Sequence, residues 1–477
     1  MSSQLIKNSN FINGQWVNHG SGKNLKVFEK YEHSLLSEIP FANEEQVELA
    51  IVSAQKGFKA MKNWSAGERA EKLQKLFALI QENKQLLIDL IIKEAGKPQF
   101  FAKAEVERSL ATLDGAIRET LRFGGEMVPL DYGAGVGKTS FTKRFPIGVV
   151  LCVTPFNFPL NLLMHKVAPA LALGCSVIIK PPPQAPLSAL ALTALIEKVG
   201  YPDGAVNLVN CEVSLAEKLV RDDRIAMLSF TGSAKVGWYL KNICGKKKIA
   251  LELGGNAAVI VDEIDHLPNA AKTIALGAFL YAGQICISTQ RIFVNEKIYD
   301  KFLNLYLEEI RQLKCGDPKQ TETIVGPVID KSNFLRIQDW IDESLKMGAK
   351  KLTSGSSDES HHLITPTLLT NTNKSMRVVN EEIFGPVATI EKYKNFNEAI
   401  QLSNDSQYGL QAGVFTNQIQ LMKLAHDELE VGGVIINNIP GFRIDTMPYG
   451  GVKNSGFGRE GIRYTMEEMS EPRLIVY

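Results

Sequence analysis

The chain has 477 residues, 45% of them hydrophobic and 22% charged, a make-up that excludes disordered, collagen-like and coiled-coil architectures. At ~150 residues per domain its length sets an expectation of about three domains. Fifty-three basic residues against 52 acidic ones leave a formal charge of +1, so no global field draws in nucleic acid or an anionic membrane, and binding has to be local.

The six cysteines, at 152, 175, 211, 244, 286 and 315, form no CxxC pair, which leaves no zinc or dithiol motif and fits a reducing compartment. Residues 1–16 hold no apolar core of a secretory signal. The uncharged run 145–164 has the length of a membrane span, but Pro146, Pro155 and Pro159 would break its helix. Asn157 and Asn161 would also be unsatisfied in hydrocarbon. The expectation is a cytoplasmic protein with no metal, nucleic acid or membrane partner.

In chain order, apolar residues at three- and four-residue spacing predict helices over 44–62, 66–94 and 103–122, with breaks at 63–65 and 96–98. A glycine-rich turn at 133–137 between 127–129 and 139–142 reads as a hairpin. It is either a protruding oligomerisation arm or a hairpin packed locally. From 147 short apolar runs at 147–153, 176–179, 206–209, 227–230 and 249–253 alternate with helices at 160–173, 187–199, 213–221 and 234–243, and Gly174 and Gly200 stand at C-cap positions. Buried strands joined by such helices imply a parallel, doubly wound α/β sheet, which binds ligands at the carboxyl ends of its strands. A second alternation from 257 to about 437, with helices at 299–313, 334–347 and 419–429, predicts a second α/β domain. Residues 354–360 form a polar loop, and 473–477 read as a further strand that could pair with the arm.

The chemistry should therefore stand at strand ends. Asn157, fixed between Pro155 and Pro159, is a donor for a developing oxyanion or a cap of the next helix. Lys180 before three prolines could hold a ribose or phosphate, or be solvated. Thr231-Gly232-Ser233 opens a helix whose free N–H groups suit a pyrophosphate, although it lacks the G-x-G-x-x-G fingerprint and a plain tight turn would look the same. Glu252 in an apolar run should have a raised pKa, as suits a general base, or be paired with a lysine of 246–248. Cys286 reads as a nucleophile or as a small buried hydrophobe.

Taken with Glu381-Glu382-Ile383-Phe384-Gly385-Pro386 and Pro448-Tyr449-Gly450-Gly451-Val452-Lys453, these motifs stand in one order along almost the whole chain. The chain resembles the aldehyde dehydrogenase superfamily. That resemblance implies a Rossmann-like cofactor domain (1–124 and 147–250), a catalytic α/β domain (251–440) and a β-hairpin oligomerisation arm (125–146 and 460–477) that builds dimers or tetramers. It implies Cys286 as nucleophile, Glu252 as general base and Asn157 as oxyanion donor. NAD or NADP would lie against Thr154, Phe156, Lys180, Pro183, Gly232, Ser233, Leu253, Glu382 and Phe384, and a family glutamate near the C-terminus would match Glu471. Where NAD-preferring relatives carry glutamate three residues after the lysine, this chain has Pro183, which permits NADP. The implied reaction proceeds through a thiohemiacetal and a thioester that Glu252 helps water to hydrolyse, so the presence of Glu252 favours an acid over an acyl-CoA product.

Arg108, His165 and Arg443 resemble substrate-binding positions and suggest a small anionic or hydroxylated aldehyde such as lactaldehyde or succinic semialdehyde. Each also has a plainer reading: Arg108 as one charge on an amphipathic helix, His165 as a packed core residue, Arg443 as a partner of Asp445. Ile285 stands where phosphate-binding relatives place arginine, which ranks a non-phosphorylating glyceraldehyde-3-phosphate dehydrogenase lower. A catalytically inactive structural member of the fold is the remaining alternative.

Overall fold

The structure, a computed structural model, describes residues 5–477. Helices begin where side chains satisfy their free N–H groups: Asn43 with Gln46 and Ser65 with Glu68 form capping boxes for Glu44–Met61 and Ala66–Glu82. The predicted helix 66–94 is broken at Asn83 into Ala66–Glu82 and Lys84–Ala95, and the next, Gln99–Arg122, starts four residues earlier than its apolar pattern suggests.

The first lobe is an eight-stranded sheet. Its parallel core runs Val206–Leu208, Ser176–Lys180, Val149–Val153, Ile225–Thr231 and Lys248–Glu252. Alternation along these strands sends Val150, Cys152, Val177 and Ile179 to one apolar core and Val149, Leu151, Ile178 and Leu228 to another on the opposite face. The first parallel strand in the chain lies in the middle, so the strand order reverses beside Val149–Val153 and opens a crevice at the carboxyl ends there. The short edge strands Asn10–Ile12, Gln15–Val17 and Gly456–Phe457 join antiparallel; the sequence pattern did not reveal them.

The second lobe is a seven-stranded sheet, parallel apart from the edge pair Lys350–Lys351 and Thr367–Thr370. The strand Lys248–Glu252 runs through the expected boundary at 250, so Glu252 belongs to the first sheet.

In the arm, Ser140–Pro146 pairs antiparallel with Ser470–Val476 over seven residues. The expected hairpin limb 127–129 contributes only one bridge, Met127 to Phe141, and 133–135 form a single 3-10 turn. Of the expected arm segment 460–477, the helix Ile462–Glu468 packs on Gln99–Arg122 and Asn161–Leu173 of the first lobe, and only the last strand belongs to the arm.

Candidate active site

The crevice at the switch point is a cleft of about 390 Å³ whose wall includes Thr154, Phe156, Lys180, Pro183, Gly232 and Ser233. Thr154 Oγ1 and Thr231 Oγ1 are buried without a hydrogen-bond partner among the described residues, as expected of groups awaiting a polar ligand. Ser233 is the N-cap of Ala234–Ile243 yet makes no side-chain capping bond, so its hydroxyl and the helix N–H groups remain available. Burial lowers the Lys180 pKa and no carboxylate pairs with it among the described residues. A Cβ at Gly232 would meet the Phe230 ring at 2.6 Å, which keeps the backbone bare there. These groups fit a dinucleotide: orphaned hydroxyls, a buried cation and a helix N-terminus on one wall.

Glu382 and Phe384, on the second lobe, do not line this cleft and adjoin it through Phe156. Glu382 accepts a hydrogen bond from Gly255 N at 3.0 Å, and burial raises its pKa to about 7. Phe384, in the left-handed region at φ 48°, meets Phe156 edge to face at 5.9 Å. Leu253 departs from its expected place: it is buried beneath Gly237, where a Cβ would come within 2.3 Å of it, and does not line the cleft.

Cys286 follows a strained turn. Tyr281, Ala282 and Gly283 all have positive φ, 51°, 53° and 67°, and only glycine adopts that region without cost. The turn is held by Tyr281 OH donating to Ala95 O (2.9 Å) and Tyr281 N donating to Ile324 O (3.0 Å). Gln284 adds Nε2 to Pro327 O (3.1 Å) and accepts from Ile329 N (2.9 Å). Asn157 Nδ2 donates to Gln284 O at 2.9 Å, which ties the amide to the cysteine segment. The helix that follows is capped instead by Glu105, whose Oε1 accepts from Leu160 N and Asn161 N. Asn157 is therefore not a helix cap.

Cys286 lies in the wall of a second cavity of about 170 Å³, with Arg108, Phe158, Arg443 and Tyr449 around it. Burial pushes its pKa up to about 11, partly offset by a 3.2 Å contact with Tyr449 OH. Arg443 stacks on the Tyr449 ring at 3.6 Å. Asp445 gathers three cation-capable groups: Arg108 Nη2 at 2.6 Å, His165 Nε2 at 2.8 Å and Arg443 Nε at 3.9 Å. Although burial opposes it, the bond from His165 and the Arg108 charge hold Asp445 well below the usual carboxylate range. His165 is wholly buried, and burial followed by the nearby Arg443 lowers its pKa, which favours the neutral ring. Arg443 Nη2 approaches His165 Nδ1 at 3.4 Å, which assigns the ring proton to Nε2, facing Asp445. Arg108 and Arg443 thus line the cavity, whereas His165 stands behind Asp445 and holds it in place.

Glu252 is buried, and its Oε2 has no partner among the described residues. Burial, then the neighbouring Glu460, raise its pKa well above that of an ordinary carboxyl, and Arg443, Lys166 and Arg459 only partly counter them. It is not paired with the lysines of 246–248; Lys248 instead reaches Glu471 at 2.8 Å. Glu471 lies exposed on the arm strand, and the acid facing Glu252 is the buried Glu460, 2.8 Å from Lys166. Sequence reasoning missed Lys166 and Glu460 and saw Asp445 only as a partner of Arg443, although a lysine inside the largely apolar 160–173 helix was a signal that a buried carboxylate must exist for it. No cluster of three metal-ligating side chains occurs among the described residues, and no helix there is long and apolar enough to cross a membrane.

A doubly wound lobe with a ligand cleft at its switch point, facing a second lobe that presents a cysteine, fits a nicotinamide-dependent oxidoreductase. The aldehyde dehydrogenase family model matches residues 16–475. The 3-sulfolactaldehyde dehydrogenase of Priestia megaterium is 40% identical over 469 residues, 98% of this chain and 97% of that one. The lactaldehyde dehydrogenase of Methanococcus aeolicus is 38% identical over 471 residues, covering 98% and 99%. Among solved structures, aldehyde dehydrogenase 21 from Physcomitrella patens, in complex with the reaction product succinate, superposes with a TM-score of 0.95 at 38% identity over 98% of both chains. The chain belongs to the aldehyde dehydrogenase family. It is an NAD(P)-dependent enzyme that oxidises an aldehyde, and solved relatives hold NADP or NAD+.

Proposed function

We propose that Cys286 is the nucleophile, Asn157 the oxyanion donor and Glu252 the general base for oxidation of a small anionic or hydroxylated aldehyde to its acid. The observation that carries this reading is the convergence on one cavity of Cys286, Arg108 and Arg443, with the Asn157 amide bonded two residues before the cysteine.

The switch-point cleft would hold NAD(P), which would supply the acceptor for the aldehyde hydride. The protein does the rest. Cys286 adds to the aldehyde carbon as the thiolate, and the negative charge passed to oxygen meets the second N–H of the Asn157 amide and the Cys286 backbone N–H. After oxidation the acyl group remains on sulfur as a thioester. Glu252, unpaired at Oε2 and raised in pKa by its surroundings, takes a proton from the water that hydrolyses it. Lys180 and Ser233 would hold the cofactor's ribose and pyrophosphate, and Glu382 and Phe384 its nicotinamide ribose and ring. Arg108, on the cavity wall and 32% exposed, is the cation that meets the anionic or hydroxylated tail, with Arg443 beside it. The relatives named for 3-sulfolactaldehyde and lactaldehyde, and the succinate complex of the plant relative, agree with that tail chemistry. The paired arm strands, with exposed Leu474, Ile475 and Val476, support assembly into a homodimer or homotetramer, and five of the six free thiols being other than exposed agrees with a cytoplasmic setting.

The test is a pair of variants followed by absorbance of the reduced nicotinamide. Cys286→Ala should abolish turnover and burst, and Glu252→Gln should keep a stoichiometric burst while slowing steady-state turnover. A Cys286→Ala enzyme with normal turnover would refute the assignment, and an acyl-CoA in place of an acid would refute the role of Glu252.

A further inference from the structure

A cavity of about 770 Å³ stands away from the active site. It lies at the root of the arm and shares no lining residue with the cofactor cleft or the cysteine cavity. Its wall carries five cations, Lys62, Arg69, Lys143, Arg144 and Arg473, and no Asp or Glu. None of the five is in an ion pair among the described residues. In a chain with a formal charge of +1, five uncompensated cations around one cavity are a local concentration of charge that the overall balance conceals.

The arginines are fixed without neutralisation. Arg69 donates from Nε to Ala172 O (2.7 Å) and from Nη1 to Trp64 O (2.5 Å). Arg144 donates from Nη1 to Glu467 O (3.3 Å) and Ser470 Oγ (3.1 Å) and lies over the Phe123 ring at 5.5 Å. Arg473 lies over the Phe145 ring at 4.1 Å, with Lys143 on the same ring at 5.5 Å. The nearest acid in sequence, Glu68, is committed to the Ser65 cap. Main-chain oxygens and aromatic faces orient these cations but cancel none of their charge, and Arg69 bears a desolvation cost that lowers its pKa. Such an arrangement is stabilised by a multiply charged anion.

We propose that this cavity is a binding site for a small organic phosphate, with the phosphoryl groups met by Arg69, Arg144, Lys143 and Arg473 and the apolar body by Trp64, Phe123 and Phe145. The volume is that of a site for a ligand of nucleotide size. A phosphate or diphosphate ester matches the wall better than a monocarboxylate, because guanidinium and ammonium groups converge there in excess of any single charge.

The test uses the full-length enzyme with pyrophosphate and ADP as probes in calorimetric titrations, beside the double variant Lys143→Glu/Arg473→Glu and the milder Lys143→Met/Arg473→Met. ADP also enters the cofactor cleft, so the signal that counts is the part abolished by the arm variants. The expected result is a pyrophosphate Kd below about 1 mM in the parent, weakened at least ~10-fold by the Met pair and abolished by the Glu pair, with kcat/KM for the aldehyde reaction and the Tm without ligand retained. Identical titrations in parent and variants overturn the proposal. So does a Glu pair that changes the molar mass in light scattering while leaving pyrophosphate binding intact, because the wall then serves a contact with a second copy of the chain.

Discussion

Replacing Tyr449 by Phe removes one hydroxyl, the group 3.2 Å from Cys286 Sγ, and leaves the ring on which Arg443 stacks at 3.6 Å. The hydroxyl lowers the Cys286 pKa from a value that burial has raised. A hydrogen bond to a charged acceptor is worth about 1.5–3 kcal/mol, and one pKa unit corresponds to about 1.4 kcal/mol. Tyr449→Phe should therefore raise the thiol pKa by roughly 1–2 units and cut the thiolate fraction near neutral pH by about 10- to 100-fold. A less acidic thiol gives a more nucleophilic thiolate, with a Brønsted slope of about 0.4–0.5, so the net loss in reaction rate shrinks to roughly 3- to 16-fold. The assay is the pH dependence of inactivation by iodoacetamide, read as loss of activity because the exposed Cys315 also alkylates. An apparent pKa that stays put or falls would show that Tyr449 does not stabilise the thiolate.

Glu460→Gln removes the acid that raises the Glu252 pKa, and frees Lys166 to lower it further. Glu252 then loses its proton at lower pH, so the acid limb of the hydrolytic step should move down in pH; an upward move would contradict the charge arrangement. Pro183 stands in the cofactor cleft three residues after Lys180 and puts no carboxylate at that position to repel a 2′-phosphate, so kcat/KM with NADP should not fall far below that with NAD; a hundredfold NAD preference, ~2.7 kcal/mol, rejects this. Arg108→Ala and Arg443→Ala, measured separately, should raise KM for the best anionic aldehyde about tenfold or more while leaving a neutral aldehyde less affected, and unchanged KM values in both would sink the proposed substrate class. Ala282→Gly places glycine at φ 53°, where relief of backbone strain opposes the usual 0.5–1 kcal/mol cost of the swap, so denaturant titration should find it within about 0.5 kcal/mol of the parent or more stable; a loss above ~1 kcal/mol would contradict the strain argument.

The first-lobe helices Leu187–Val199, Val213–Arg221 and Ala234–Ile243 lie where the sequence pattern puts them, because apolar periodicity and glycine caps are local signals. Segments bearing Asn157, Glu252 and Cys286 were legible for a related reason: proline, glycine and an isolated acid in an apolar run mark strand ends within a few residues. What escaped was set by distance along the chain. Strands Asn10–Ile12 and Gln15–Val17 are three residues each and gain their place only by pairing with a sheet built from residues beyond 148. Glu460 and Glu471 cannot be ranked as neighbours of Glu252 by spacing, since one turns inward beside Lys166 and the other outward on the arm. The left-handed turn at 281–283 escaped too, because only one of its three residues is glycine.

That turn explains how two lobes can build one site. Tyr281 and Ala282 each hold a conformation that costs roughly 1–3 kcal/mol, so neither would persist on local preference. Tyr281 is anchored through its hydroxyl to Ala95, at the end of a first-lobe helix, and through its backbone to Ile324 in the second lobe. Beside it the buried Lys97, ion-paired with Glu105, lies 4.7 Å from the Tyr281 ring centre and 3.5 Å from that of Phe158, which follows Asn157. Glu105 in turn fixes the start of Asn161–Leu173. The cysteine segment, the Asn157 loop and the helix carrying His165 and Lys166 are thus referred to one buried assembly. Strain in the turn is sustained because releasing it would break bonds on both lobes at once. The Cys286 thiol on one lobe can in this way keep a fixed position relative to the Asn157 amide and the Glu252 carboxyl that stand on the other.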